Sequence, residues 1–199
     1  MHLGTHQQLD DLTPQNVILL AYQIIDAVLY IHTRDYAHRD IKPTNILVKS
    51  MEPLTFVLSD FGLASRDPLQ TFCGCDLYAA PEIYRPGLYR KGVDIWATGI
   101  VILKYAAGLP TRPTPWDHER WFKSLATFAP NLDPIRKILR DFAGTMLESV
   151  TDNRPSAEVC LTRICIMRGG VTNASIEFGE HNRPPLQHRN CSITLPRTT

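Results

Sequence analysis

The chain has 199 residues with 21 Lys and Arg against 20 Asp and Glu, and its formal net charge of +1 argues against an extended basic surface for nucleic acid or an acidic tail. The hydrophobic content of 44% is that of an ordinary globular protein and excludes a chain that is disordered throughout. The length allows one domain of roughly 150 residues together with a tail.

The first predicted element is a helix that lies inside the domain. Residues 1–12 show no hydrophobic periodicity, so we expect a loop or a frayed end there. Thr13 followed by Pro14 is typical of a helix start, because threonine caps the first amides and proline needs no N–H at the first helical position. Residues 15–32 are apolar on nearly every side, which predicts a helix surrounded by other elements.

A hairpin and a long loop are predicted next. Residues 46–49 and 55–59 are short runs with strand propensity, and the turn-forming sequence Met51-Glu52-Pro53 separates them. Residues 60–90 are rich in Gly, Pro, Asp and Cys and show neither helical nor strand periodicity. A loop of this length in a compact domain is usually functional.

The remaining elements are helices. Residues 93–105 predict a second helix that is apolar all round. Residues 117–128, with an aspartate as cap, and the amphipathic runs 134–147 and 155–167 predict three more. From residue 169 onward the chain is rich in Pro, Asn, Arg and Thr, so we expect a flexible tail over 169–199.

The cysteines and the apolar stretches bear on the compartment. The five cysteines stand at positions 73, 75, 160, 165 and 191. They form no C-x-x-C pair, which favours reduced thiols in the cytoplasm or nucleus over a zinc site or a disulfide framework. The polar N-terminal residues show no secretory signal, and the apolar stretch 93–107 is shorter than the ~20 residues of a membrane span. We therefore expect no membrane and no nucleic acid among the partners.

Three short motifs carry the chemical information. Residues 38–45 read His-Arg-Asp-Ile-Lys-Pro-Thr-Asn, residues 60–62 read Asp-Phe-Gly, and residues 80–82 read Ala-Pro-Glu. The first matches the catalytic-loop pattern H-R-D-L-x-x-x-N, with Ile in place of Leu, and the other two follow in the order found in protein kinases. From about residue 10 to about residue 167 the chain therefore resembles the C-terminal lobe of a eukaryotic protein kinase. The resemblance implies a mainly α fold, with a small β-hairpin at the catalytic loop and a long activation loop.

The resemblance implies a set of catalytic and nucleotide-binding residues. Asp40 would be the catalytic base for the substrate hydroxyl, and Lys42 would place a positive charge near the transferring phosphoryl group. Asp60 and Asn45 would bind Mg²⁺ ions that hold the phosphates of ATP, since Mg²⁺ prefers oxygen ligands. Leu47 would lie beneath the adenine ring. A lysine two residues after the catalytic aspartate is typical of serine/threonine kinases in this family, so the expected substrate is a protein serine or threonine.

A second group of residues has a structural role in the family. His38 and Phe61 match stacked positions that connect the catalytic loop to the N-terminal lobe. Asp94 matches an aspartate that holds the backbone of that loop, and a carboxylate in apolar surroundings needs such partners. Glu82 and Arg154 match an ion pair that ties the end of the activation segment to the last helices.

The long loop contains candidate regulatory residues. Thr71 aligns with the usual phosphorylation position of the family, and a phosphate there would pair with Arg39 and order the loop. Ser65 is a weaker candidate, and Thr71 as a simple exposed hydroxyl is the alternative. Cys75 stands where serine/threonine kinases usually have a threonine, and a thiol is a weaker hydrogen-bonding group.

The sequence departs from the family pattern on the N-terminal side. Only 39 residues precede Asp40, and they contain no Gly-rich loop and no strand lysine for the phosphates. We therefore expect a domain over residues 1–168 that lacks the N-terminal lobe, binds ATP weakly by itself, and exposes Leu47 and Phe61 to a covering partner.

Two alternatives to a protein kinase remain open. The first is a catalytically inactive kinase-like module that binds partners or acts as a scaffold. The second is a small-molecule phosphotransferase related to aminoglycoside kinases, which shares the H-x-D logic but lacks the Ala-Pro-Glu segment and its arginine partner.

Overall fold

The computed structural model describes residues 12–66, 76–87, 89 and 91–175. Within these residues the fold is mainly helical with one small antiparallel sheet, as the sequence predicted. The helices and strands are α1 (Pro14–His32), β1 (Ile46–Met51), β2 (Leu54–Leu58), α2 (Gly92–Ala107), α3 (His118–Thr127), α4 (Pro134–Met146) and α5 (Ala157–Ser175). Short 3₁₀ turns occur at Pro43–Asn45, Asp76–Tyr78, Pro81–Tyr84 and Thr151–Asn153.

Helix α2 forms the centre of the core. Most of its residues are buried, and α1 and α4 pack against it. A Cβ atom on Gly99 would lie 2.9 Å from the Cβ atom of Met146 and 3.3 Å from the carbonyl oxygen of Ala143, so α2 and α4 approach too closely there for a side chain. The close packing of α2 against its neighbours places it inside the domain, as predicted for a helix that is apolar all round.

Helix α1 begins as the sequence predicted. The Thr13 hydroxyl accepts a hydrogen bond from the Asn16 amide at 3.2 Å, and Pro14 occupies the first helical position. By length and composition α1 would be able to cross a membrane, a property that the sequence analysis attached to no helix. In the fold one face of α1 is buried, and the helix packs against α2, α5 and β2.

The hairpin brings two distant backbone positions together. Strands β1 and β2 pair in a register that sets Ile46 opposite Leu58. The residues just outside this pair, Asn45 and Ser59, are joined by a hydrogen bond from the Ser59 amide to the Asn45 carbonyl at 2.8 Å. From α1, the Gln23 side chain accepts a hydrogen bond from the Phe56 amide at 2.6 Å and fixes the hairpin to the helical core.

The predicted helix boundaries agree with the structure except at α5. This helix begins at Ala157 and continues to Ser175, beyond the predicted end at residue 167. The proposed boundary at residue 168 therefore falls inside a helix. Residues 1–11 and 176–199, which carry the predicted frayed end and most of the predicted tail, lie outside the described residues.

Candidate active site

The two carboxylate oxygens of the buried residue Asp40 differ in their hydrogen bonding. The residue is 8% exposed. Its Oδ2 atom accepts hydrogen bonds from Lys42 Nζ at 2.7 Å and from Asn45 Nδ2 at 2.9 Å. Its Oδ1 atom is buried and has no hydrogen-bond partner among the described residues. Because buried polar atoms nearly always have hydrogen-bond partners, the Oδ1 atom is an acceptor that a bound molecule would be able to satisfy.

The Asn45 side chain has a single possible orientation. Its Nδ2 atom donates to the Asp40 backbone carbonyl at 2.8 Å and to the Asp40 carboxylate at 2.9 Å. Both partners are acceptors, so an amide turned the other way would place an oxygen against two oxygens. The side-chain amide oxygen of Asn45, Oδ1, is consequently directed away from Asp40 and is a hard donor suited to a cation such as Mg²⁺.

Asp94, at the start of α2, holds the backbone that leads to Asp40. The residue is 1% exposed. Its Oδ2 atom accepts from the His38 amide and from His32 Nε2, each at 2.8 Å, and its Oδ1 atom accepts from the Arg39 amide at 2.8 Å. These bonds fix Arg39 in the left-handed backbone region, with φ of 71°, where a residue other than glycine is strained.

His32 belongs to this network and was missed by the sequence analysis. It is the last residue of α1, and its carbonyl oxygen accepts a hydrogen bond from Lys91 Nζ at 2.6 Å. No motif distinguishes this histidine in the sequence, because its partner Asp94 is 62 positions away.

His38 connects the catalytic loop to the segment that follows the hairpin. The ring is fully buried, lies edge-on to Phe61 with centroids 4.7 Å apart, and bonds two backbone groups. Nε2 donates to the Ser59 carbonyl at 3.0 Å, while Nδ1 accepts from the Asp40 amide at 3.3 Å. One nitrogen must carry a hydrogen and the other must not, which makes the ring neutral. Burial lowers the pKa of His38 in the same direction, against the opposing effect of nearby carboxylates.

Asp60 differs from Asp40 in exposure and in the number of contacts. It is exposed, its φ is 60°, and its Oδ1 atom accepts from the Gly62 amide at 3.3 Å. The preceding residue, Ser59, contacts the Asn45 carbonyl oxygen through its amide at 2.8 Å and its hydroxyl at 3.0 Å. The structure thus joins Asp40, Lys42 and Asn45 directly and connects Asp60 to them through its neighbour.

Leu47 and Phe61 are the apolar residues that the sequence analysis expected to face a covering partner. Both side chains are half-buried. Leu47 lies on β1 opposite Val57, and Phe61 packs on the His38 ring. Part of each apolar side chain therefore remains exposed, and a partner that covers this surface stays a prediction.

Glu82 and Arg154 form a bidentate ion pair. Arg154 Nη1 and Nη2 donate to the two Glu82 oxygens at 2.7 and 3.0 Å. The remaining three guanidinium hydrogens are directed to the carbonyl oxygens of Gly92 and Glu148. All five donors of this buried arginine are used, which satisfies the condition under which a buried charge is tolerated.

Comparison with known proteins now identifies the family. A family model for the protein kinase domain matches residues 3–164. The chain belongs to the protein kinase family. It is 40% identical to MAP kinase-activated protein kinase 2 of Drosophila melanogaster over 103 residues, which cover 49% of this chain and 29% of the relative.

Other related kinases match a larger part of the chain. Serine/threonine-protein kinase DCLK3 of Mus musculus is 31% identical over 80% of this chain and 21% of the relative. CBL-interacting serine/threonine-protein kinase 21 of Arabidopsis thaliana is 34% identical over 74% of this chain and 35% of the relative. The chain thus spans about a third or less of the length of each of these three kinases.

The structure describes some of the candidate regulatory residues. Arg39 donates from Nη1 to the Leu63 carbonyl at 3.1 Å and from Nη2 to the Tyr89 hydroxyl at 3.0 Å. Ser65 pairs with Ala37 in an isolated antiparallel bridge. Thr71 and Cys75 lie outside the described residues.

A protein kinase domain implies ATP as substrate and usually Mg²⁺, and the residues of the site fit such a cation. Within the part of the chain that the structure describes, no group of three His, Cys, Asp or Glu side chains could hold a metal ion. Mg²⁺ binds through one or two carboxylates together with phosphate oxygens, and does not require such a group. The amide oxygen of Asn45 and the exposed carboxylate of Asp60 supply the required kind of donor.

Proposed function

We propose that this chain is the C-terminal lobe of a serine/threonine protein kinase, which transfers the γ-phosphoryl group of ATP to serine or threonine hydroxyls of protein substrates. The observation that carries the proposal is the Asp40 carboxylate. One of its oxygens is fixed by Lys42 and Asn45, and the other is buried without a partner. A substrate hydroxyl would complete this hydrogen bonding.

Each residue of the site has a defined part in the proposed reaction. The substrate hydroxyl donates to Asp40 Oδ1, which accepts the proton as the hydroxyl oxygen bonds to the γ-phosphorus and ADP leaves. Lys42 has three ammonium hydrogens, of which one bonds Asp40 and the others are available to phosphoryl oxygens. Magnesium held by Asn45 and Asp60 would neutralise charge on the phosphates. Leu47, half-buried beside the loop, would contact the adenine ring.

Two observations support a serine or threonine as the acceptor. Lys42 is the residue that the family's serine/threonine kinases carry at this position. Two of the relatives described above are named serine/threonine-protein kinases. We also propose the cytoplasm or nucleus as the compartment, on the ground that the cysteine pattern favours reduced thiols.

We further propose that phosphorylation of Thr71 regulates the chain through Arg39. The Arg39 guanidinium already bonds the Leu63 carbonyl and the Tyr89 hydroxyl. A phosphate, as a charged acceptor, would compete with these neutral acceptors for the guanidinium. Phosphopeptide mapping of active protein should find Thr71 modified, and active protein in which Thr71 is never modified would refute this part.

The test of the proposed activity is phosphate transfer by the full chain. The purified chain is incubated with Mg²⁺, radiolabelled ATP and a mixture of serine, threonine and tyrosine peptides, and labelled residues are identified. We expect slow transfer to serine and threonine, and a loss of at least about 100-fold in Asp40→Asn, which cannot accept the proton. The melting temperature of each variant shows that it is folded.

The possible outcomes separate the proposed kinase from the alternatives. Transfer that persists in Asp40→Asn would show that Asp40 is not the base. A folded wild-type chain that transfers no phosphate would overturn the catalytic proposal and favour the binding or scaffold module. Label on a small metabolite in place of a protein would favour the small-molecule phosphotransferase.

A further inference from the structure

Ser59 directs all of its polar groups toward the catalytic loop. Its amide donates to the Asn45 carbonyl oxygen at 2.8 Å, and its hydroxyl donates to the same oxygen at 3.0 Å. Its own carbonyl oxygen accepts from His38 Nε2 at 3.0 Å. This half-buried residue therefore contacts the loop on both sides of Asp40 in the sequence.

The residue after Ser59 has few hydrogen bonds of its own within the part of the chain that the structure describes. Asp60 is exposed, and its carboxylate accepts one long hydrogen bond, from the Gly62 amide at 3.3 Å. Its backbone is in the left-handed region, with φ of 60°, which aspartate adopts more readily than most residues. The contacts of Ser59 hold the backbone before Asp60, and the packing of Phe61 on the His38 ring holds it afterwards, so the position of the Asp60 carboxylate depends on both.

The hydroxyl of Ser59 adds a hydrogen bond that the backbone pairing of the hairpin does not supply. Any residue other than proline at position 59 would keep the amide bond to Asn45, because this bond continues the β1–β2 register. Only a side chain with a donor at the γ position adds a second bond to the same carbonyl oxygen. Two donors on one acceptor restrain both the distance and the rotation between the two segments.

We propose that Ser59 is a positioning residue. Its hydroxyl fixes the position of Asp60 relative to Asn45, and this position determines how tightly the site binds a divalent cation together with a nucleotide. This inference rests on the proposed function, since Asn45 and Asp60 are the proposed cation ligands. Ser59 itself touches neither the cation nor the nucleotide. Its effect is transmitted through the Asn45 backbone on one side and the Asp60 backbone on the other.

Binding of Mn²⁺ together with a non-hydrolysable ATP analogue tests the inference on the full chain. Electron paramagnetic resonance measures free Mn²⁺ during the titration, and thermal unfolding is recorded for each variant. We expect Ser59→Ala to raise the Kd for Mn²⁺ about five-fold, as for the loss of one hydrogen bond, and Ser59→Thr to restore the wild-type value.

The control variant removes a hydroxyl from the other end of the same hairpin. Ser50 donates from its hydroxyl to the Glu52 carbonyl at 3.1 Å and contacts no residue of the site in the structure. Ser50→Ala should therefore leave the Kd unchanged. The melting temperature of Ser59→Ala should lie within a few degrees of that of Ser50→Ala.

The outcomes distinguish this inference from the proposed function. An unchanged Kd in Ser59→Ala, with binding lost in Asn45→Ala, would overturn the positioning role and leave the proposed function standing. A large fall in melting temperature that Ser59→Thr does not reverse would also overturn it, in favour of a purely structural role. Binding that survives in both Asn45→Ala and Asp60→Asn, or its absence in the wild-type chain, would refute the proposed cation site itself.

Discussion

The catalytic loop and the start of the activation segment are held in different ways. Asp40 in the loop is 8% exposed, and its surroundings are fixed by Lys42, by Asn45 and, through the backbone, by Asp94. Asp60 at the start of the segment is exposed and accepts one long hydrogen bond. Burial preorganises the loop, whereas we propose that the position of the second carboxylate depends on its neighbour Ser59. Such a site would hold its proposed base more rigidly than a proposed cation ligand.

The largest expected effect comes from removing the anchor of the loop. Asp94→Ala leaves the His38 and Arg39 amides and His32 without their acceptor inside the core, and each unsatisfied buried donor is costly. We expect the free energy of unfolding, measured by urea titration, to fall by about 4 kcal/mol. Asp94→Asn, which keeps one acceptor oxygen, should lose less. Equal losses in the two variants would show that the hydrogen bonds of Asp94 do not hold the loop.

A slightly smaller effect is expected at the far end of the activation segment. Glu82→Ala leaves the Arg154 guanidinium, whose side chain is 1% exposed, without its counter-charge. Breaking a buried pair in this way costs about 3 kcal/mol. Urea unfolding of Glu82→Ala and Glu82→Gln tests this value, since Gln retains one acceptor. A change below about 0.5 kcal/mol would mean that this end of the segment is held no more firmly than its start.

Asp40 and Asp60 can be compared by the same substitution. Asp40→Asn removes the negative charge from the partly buried Lys42–Asp40 ion pair, so we expect a loss of about 1.5 kcal/mol in the free energy of unfolding. Asp60→Asn preserves the tolerance for positive φ at an exposed position, so we expect a change within about 0.5 kcal/mol. Similar losses in the two variants would contradict the distinction between a rigid and an adjustable carboxylate.

A further expected effect is a pH dependence from His38, which bonds both regions. Its pKa is lowered in the fold, mainly by burial, from the ordinary value of 6.5. Below that pH the unfolded chain takes up a proton that the folded chain does not, so the free energy of unfolding falls as the pH falls. The slope is at most about 1.4 kcal/mol per pH unit, down to the lowered pKa. Urea unfolding between pH 7 and 5 should show a shallower slope for His38→Gln than for wild type, and identical slopes would contradict the buried neutral ring.

The features that the sequence predicted correctly depend on local sequence patterns or on short motifs. Helix α1 was predicted with its cap because Thr13 and Pro14 are adjacent, and the hairpin was predicted from two short runs and a turn. The end of α5 was missed, since residues 168–175 have no periodicity that distinguishes a last helical turn from a tail. Boundaries depend on contacts that a short sequence window does not contain.

The order and spacing of three motifs predicted the family, which the comparisons confirm, together with a candidate base and candidate cation ligands. Tertiary structure alone decided that Asp94 and His32 meet, that His38 is neutral, that one oxygen of Asp40 has no partner in the described chain, and that Ser59 holds two loop segments together. The reason is that motif spacing encodes chemistry along the chain, whereas these contacts arise where α1, α2 and the hairpin pack. The burial of a side chain and the positions of its hydrogen-bond partners are determined only when residues far apart in sequence become neighbours.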